Sequence, residues 1–322
     1  MSTSLATPLV IGISATALFD LREAQAYFDA RLRESPATAV ADYRAWMRER
    51  EQQPLADGTG MPLVRALLAL NAHAADGPLV DVVVLSRNSL ETGVQVFNNI
   101  RRLQLPITRH AFTGGESVVD YLSAFSVDLF LTTHAADAQR VIDEGHRAAA
   151  ILRAPPPDAA PFPAGQVRIA FDGDAVLFDD SSELVYKSQG LAAFQRHEDS
   201  RRDEPMTDGP YALLLRKLAQ LQARLVAQVQ PGATAPLRIA LITARSAPAE
   251  MRVINTLRHW GVQVDEVFFL GGLGKDAVLR AFRPHIFFDD QDVHLDAAAR
   301  AVSAGKVPWR SGSGLQALRK QD

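Results

Sequence analysis

The sequence repeats itself, and the repeat limits what it can fold into. An offset of 151 lays Tyr43–Ala72 on the second half without gaps, matching Pro54 with Pro205, Asp57 with Asp208, Gly58 with Gly209, Arg65 with Arg216, Leu67 with Leu218 and Leu70 with Leu221. An offset of 157 carries Val83–Thr133 in the same way, pairing Ser89 with Ser246, Asn98 with Asn255, Arg101 with Arg258, Gly114-Gly115 with Gly271-Gly272 and Ala124-Phe125 with Ala281-Phe282. The two offsets differ by a loop insertion near Gln230–Pro236. Matches at Pro, Gly and Asn fall where backbone conformation is most constrained, so they reach beyond shared secondary structure and point to one architecture built twice.

Within each half, short apolar runs alternate with amphipathic text. In the first half Leu9–Ala15, Leu79–Leu85, Arg109–Phe112 and Val127–Leu131 read as strands. Between them, Arg22–Arg50 (interrupted at Pro36), Pro62–Ala74, Ser89–Leu103 and Ser117–Phe125 read as helices. In the second half the strands are Val167–Phe171, Leu237–Thr243, Glu266–Leu270 and His285–Phe288. The helices there are Glu183–His197, Pro210–Gln228 (with Asp208 placed as its cap), Ala247–Trp260 and Lys275–Phe282. Runs that are nearly all apolar suit strands covered on both faces, so the fold class is α/β, with two doubly wound parallel-sheet halves. The run APPPDAAPFPAG cannot continue a helix or a central strand. It divides the chain into an N-terminal α/β domain at 1–153, a linker at 154–166, a second domain at 167–310 and a polar, frayed tail at 311–322.

Composition narrows the chemistry. With 322 residues there is length for two ordinary cores. A formal net charge of −3 with dispersed Lys and Arg gives no footprint for nucleic acid. No cysteine is present, which excludes disulfides, thiolate metal sites and a cysteine nucleophile. The first twenty residues lack a basic segment ahead of their apolar run, which is also too short to span a bilayer. The expectation is a soluble cytoplasmic protein with no membrane partner. A homo-oligomer is left open.

The two halves differ where chemistry would sit. At its first strand end the second half reads FDGDAVLFD, placing Asp172 and Asp174 around Gly173; the first half reads ISATALFD there and has neither carboxylate. By itself Asp-Gly-Asp is a turn former. Three further elements fall at or just after strand ends of the same half: Thr243 in LITARS, Lys275 after GGLG, and Asp289-Asp290 in HIFFDDQ. In a parallel sheet those ends share one edge, where open α/β sheets bind ligands. Crowded carboxylates with oxygen donors alone favour Mg²⁺ over Zn²⁺, and a hydroxyl with a cation suits a phosphoryl group. An Asp there can attack phosphorus, and a second can protonate the leaving oxygen and then activate water.

This set resembles the haloacid dehalogenase superfamily of phosphatases. FDGDAVLF, LITARSA, TLRHWGV with DEVFFLGGLGK, and RPHIFFDDQ resemble, within it, the cytosolic type I 5'-nucleotidases. ALFD, PLVRALLALN and FTGG extend that resemblance through the first half. It implies Asp172 as nucleophile, Asp174 as general acid and base, and Thr243 and Lys275 as phosphate holders. Asp172, the Asp174 carbonyl and the acidic pair would form the Mg²⁺ site, with Asp290 favoured over Asp289 as the direct ligand. The implied reaction is hydrolysis of nucleoside 5'-monophosphates, AMP being the family's characteristic substrate. Residues 180–232 fall where such enzymes carry a cap, from which Phe194, His197 and Glu198 are candidates to face the nucleoside. Arg245 and Ser246, with Ala244 and Gly173 beside them, are candidates for the phosphate side. Two alternatives stand: another small ester such as a sugar phosphate, and a nucleotide-sensing, packing or dimerising role for the degenerate first half.

Overall fold

The computed structural model describes residues 7–75, 77–154, 161–228 and 234–319. Ten strands form one sheet: β1 Leu9–Ile13, β2 Val80–Ser86, β3 Arg109–Phe112, β4 Leu129–Thr132, β5 Ala148–Arg153, β6 Val167–Phe171, β7 Leu237–Thr243, β8 Glu266–Phe269, β9 Ile286–Asp289 and β10 Ala304–Lys306. Their order is β3-β2-β1-β4-β5-β10-β9-β6-β7-β8. Every pairing is parallel except β5 with β10. Read outward from that seam, both halves show the same sequence of strands. The antiparallel seam also reverses one half against the other, so the carboxyl ends of β1–β4 and of β6–β9 lie on opposite edges of the sheet.

The strands form because their sequences are branched and apolar on both faces; β1 and β9 are buried at every position. One contiguous core runs from Leu9 and Val83 through Phe130 to Phe171, Tyr211 and Phe288, so both halves share it. The helix Met61–Ala69 packs on β2 and reaches β6, while its counterpart Ala212–Val226 packs on β7 and reaches β1. Lys217 on the latter closes the exchange with an ion pair to Asp128 at 2.5 Å. Among the described residues, no helix is long and apolar enough to cross a membrane.

Several local expectations change. Ser117–Phe125 contains only a single 3₁₀ turn, Val119–Tyr121; the adjacent valines disfavour a helix and Ser126 takes a φ of 55° directly after it. The helical text at Glu183–His197 is two helices, Ser181–Gln189 and Leu191–Ser200, separated by Gly190 at a φ of 79°. Asp208 does not cap the following helix, which begins after Tyr211; its oxygens instead accept from Arg216 at 2.6 and 2.7 Å. Residues Gly314–Arg319 form a helix with Leu315 buried. Residues 155–160 of the linker, 229–233 of the inserted loop and 320–322 of the tail lie outside the described residues.

Candidate active site

At the end of β6 the chain leaves the sheet through a single wound turn, Gly173–Leu177, in which Ala175 adopts a φ of 58°. The Asp172 N–H still donates to Phe288 O at 2.8 Å, so Asp172 is anchored to the sheet. Asp174, two residues on, joins a different set of partners. Gly173 lies close to Thr243: a Cβ placed on it would stand 3.4 Å from the Thr243 hydroxyl.

Lys275 draws the first cluster together. Its Nζ lies 2.8 Å from Asp172 Oδ1 and donates to Asp289 Oδ2 at 2.6 Å. Asp289 also accepts from the Gln291 N–H at 2.7 Å and lies 3.1 Å from His294 Nδ1. Asp172, Thr243, Lys275, Asp289 and Asp290 are all buried. Burial pushes the Asp172 carboxyl up to about 7, against the pull of Lys275. Burial works against the charge on Lys275, but Asp172 and Asp289 outweigh it and hold its pKa above the ordinary lysine value. Asp289 is held below the usual carboxylate range, Lys275 and His294 overcoming its desolvation. Asp290 is raised, first by burial and then by Asp289 and Asp172.

Within this cluster, Asp290 has incomplete bonding. Its Oδ2 accepts from the Trp309 indole N–H and its carbonyl from Lys306, yet Oδ1 is buried without a hydrogen-bond partner. Two buried carboxylates, Asp172 and Asp289, thus share a single lysine, with the buried Asp290 next in sequence and His294 at the rim. A lone acceptor in such an anionic place is costly unless a cation completes it. Ligand atoms of Asp172, Asp289 and His294 also lie within 4.8 Å of one another. The donors fit a hard divalent cation held mainly by oxygen.

The second cluster is closed. Arg245 donates to both oxygens of Asp174, at 2.8 and 2.6 Å, and through its other nitrogen to Glu198. Glu198, fully buried, also accepts from Arg252 at 2.9 Å and Ser182 at 2.8 Å, and lies 2.9 Å from His197 Nδ1. Two acids and two arginines balance, and burial is outweighed on both sides: Asp174 and then Glu198 raise Arg245, and Arg245, with Ser182 and Arg252, lowers Glu198. Phe194 is buried beneath this group, 5.3 Å from the Arg245 guanidinium carbon and edge-on to Tyr186. The Ala244 carbonyl accepts from Gly272 at 3.0 Å, and Ser246 follows Arg245 at the partly open surface.

The fold therefore brings Asp172, Lys275 and Asp289 into contact and sets Asp290 beside them. It ties Asp174 to Arg245 and Glu198 instead. Sequence reading missed His294, Arg252, Lys306 and Trp309; only His294, five residues after Asp289, carries any spacing signal.

Acidic strand ends around a buried lysine on a mostly parallel sheet define the class of protein: a mixed α/β chain with a buried, charged strand-end site. The chain belongs to the 5'-nucleotidase family, whose family model matches residues 1–313. Cytosolic 5'-nucleotidase 1B of Homo sapiens is 33% identical over 304 residues, covering 92% of this chain and 48% of the human one. The chain thus spans about half the length of that relative.

Proposed function

We propose that this protein is a cytoplasmic, Mg²⁺-dependent 5'-nucleotidase that hydrolyses nucleoside 5'-monophosphates, AMP foremost, to nucleoside and phosphate. The observation that carries this reading is the buried Asp172–Lys275–Asp289 group with the unpartnered Asp290 Oδ1 beside it. An Asp172 oxygen attacks phosphorus and the bond to the 5' oxygen breaks, that oxygen taking a proton from Asp174. Water then adds to the aspartyl-phosphate as Asp174 removes its proton, releasing phosphate and restoring Asp172. Lys275 and the Thr243 hydroxyl hold the phosphoryl oxygens where charge builds. Mg²⁺, held by Asp172, Asp290, the neighbouring Asp289 and the Asp174 carbonyl, would offset the carboxylate charge and that of the phosphoryl group. Because Arg245 grips both Asp174 oxygens, proton transfer requires it to release one. Glu198 holds the other end of the same guanidinium, so movement of its helix would control that release.

The same reading makes residues 180–232 a helical cap and the halves 1–153 and 167–310 diverged haloacid dehalogenase-like units joined by the linker. The repeated strand order supports the duplication. Phosphate release across nucleoside monophosphates and sugar phosphates, with and without Mg²⁺, tests the activity. Mg²⁺-dependent release from AMP is expected, and Asp172→Asn should lower it by more than about a thousandfold while the circular dichroism is unchanged. A sugar-phosphate preference would replace the substrate, and near-normal turnover in Asp172→Asn would overturn the mechanism.

A further inference from the structure

The edge of the sheet opposite the acidic cluster carries a cavity of about 800 Å³ at the carboxyl ends of the first-half strands, lined by Ser14, Ser86, Arg87, Thr132 and Thr133 among others. These positions correspond to the acidic site. The Ser14 N–H donates to Leu131 O at 2.9 Å as the Asp172 N–H does to Phe288 O, and Leu131 and Phe288 are partners under the offset of 157. The same offset sets Ser86 on Thr243, Val118 on Lys275, and Thr132 and Thr133 on Asp289 and Asp290. Thr132 keeps one task of its counterpart: its hydroxyl accepts from the His134 N–H at 3.0 Å, as Asp289 accepts from Gln291. The carboxylates and the lysine have been exchanged together for hydroxyls and a valine. The substitution is electrostatically coherent, since a buried lysine without its carboxylates would be unpaired.

One cation has been added. Arg87 stands where the second half has Ala244. Its Nε and Nη2 donate to Gly115 O at 2.9 and 2.6 Å, and Nη1 lies 3.5 Å from the buried Asp137 and 3.2 Å from His134 Nε2. The guanidinium is thereby fixed at the cavity while remaining about a third exposed. Hydroxyls with a fixed arginine, and without the acidic cluster, make a site for an oxyanion that needs no metal. Deeper in the cavity Tyr43 occupies the position of Phe194 under the offset of 151 and packs edge-on to Phe28 at 5.2 Å. An anion-binding rim over an aromatic wall, in a volume typical of small-molecule sites, fits a nucleoside phosphate.

We infer that the first half is a second, non-hydrolytic binding site for a nucleoside monophosphate, its phosphate on Arg87 and the Ser14 and Thr133 hydroxyls. The site holds its ligand without magnesium, which separates it from the acidic one. Equilibrium dialysis of AMP against the full chain in EDTA tests this, with Arg87→Ala and the cavity-filling Thr133→Trp as variants. Wild type is expected to bind AMP in EDTA, and each variant to weaken that binding at least tenfold with unchanged circular dichroism. Inorganic phosphate is expected to compete with AMP. Absence of binding in EDTA, binding undiminished in both variants, or competition by adenosine but not phosphate would each overturn the inference. Phosphate release with Mg²⁺ is measured separately, so failure of the hydrolytic reading leaves this test intact.

Discussion

Lys275 is buried to the same degree as a core leucine, and only Asp172 and Asp289 make that tolerable. Replacing it with methionine keeps the volume and leaves Asp172 and Asp289 without their shared counter-ion. Lys275→Met is expected to lower stability by about 3–5 kcal/mol, the cost of breaking a buried ion pair. Mg²⁺ should then raise the melting temperature of the variant more than that of wild type. Thermal melts of both proteins with and without the ion check this. His285 offers a separate test away from the cluster. Its ring stacks on Phe162 at 4.2 Å, and its Nδ1 accepts the Arg168 N–H at 3.2 Å. Burial, the largest influence, lowers its pKa from 6.5 to about 4. A folded-state pKa below the unfolded one means that the unfolded chain binds the proton first. This contribution to stability is therefore full above about pH 6.5 and is lost as pH falls toward 4, by up to roughly 3 kcal/mol. His285→Gln keeps an acceptor and removes the titration, so the stability difference between pH 7 and pH 5, measured by urea unfolding, is expected to shrink. At this scale the sequence displayed Asp172, Lys275 and Asp289-Asp290 because each follows a strand. Arg245 was visible as a neighbour of Thr243, but its partner Glu198 is 47 residues away on a helix, a pairing no spacing rule reveals. Trp309 and Lys306 reach Asp290 from a segment without a motif.

The repeat survives in local structure as well as in residue identity. Phe19 bridges Asp57 and Phe178 bridges Asp208; Asp57 pairs with Arg65 and Asp208 with Arg216. Gly58 and Gly209 lie inside these loops, donating to Leu18 O and Leu177 O at 2.9 Å each. A Cβ on Gly209 would lie 2.3 Å from Phe178 O, and one on Gly58 2.6 Å from Ala17 O. Both contacts are with backbone and cannot be relieved by a rotamer change. Gly209→Ala and Gly58→Ala are each expected to cost at least about 2 kcal/mol, as overpacked sites do. Denaturant unfolding checks this, and a loss below 0.5 kcal/mol (roughly the scatter of neutral surface changes) would contradict it. Elsewhere the two halves carry the charges the other way round and keep the bond: Asp81 pairs with Arg109 at 2.6 Å, and Arg238 with Glu266 at 2.5 Å. A comparison by residue type scores that pair as a mismatch, although the register around it is the same. The elements absent from the sequence reading have a plain cause too. AAAILR and AGK become β5 and β10 although they carry few branched residues. Small residues are needed at their seam, where a Cβ on Gly305 would stand 2.7 Å from the Phe288 ring.

Across the whole molecule, the continuous sheet and shared core predict that the halves melt together. A chain keeping only Trp46 and one keeping only Trp260, the other tryptophans replaced by phenylalanine, report on the first and second halves. Their fluorescence transitions in urea are expected to coincide; separated midpoints would show that the seam and the exchanged helices do not couple the halves. The twofold plan was legible from Pro, Gly and Asn matches. The joining of the two sheets edge to edge was not, because it depends on β5 and β10. One helix follows from that joining. Ala135–Glu144 begins beside His134 and Asp137 in the first-half cavity; farther along, Gln139 donates to Trp309 O at 2.7 Å and Asp143 accepts the Ser311 N–H at 2.7 Å. Trp309 in turn donates to Asp290. Ten residues of helix make a strut about 15 Å long, stiff along its axis, with one end at each edge of the sheet. A displacement of its first turn would be carried along the helix axis to the Trp309 carbonyl, the backbone of the residue whose indole bonds Asp290.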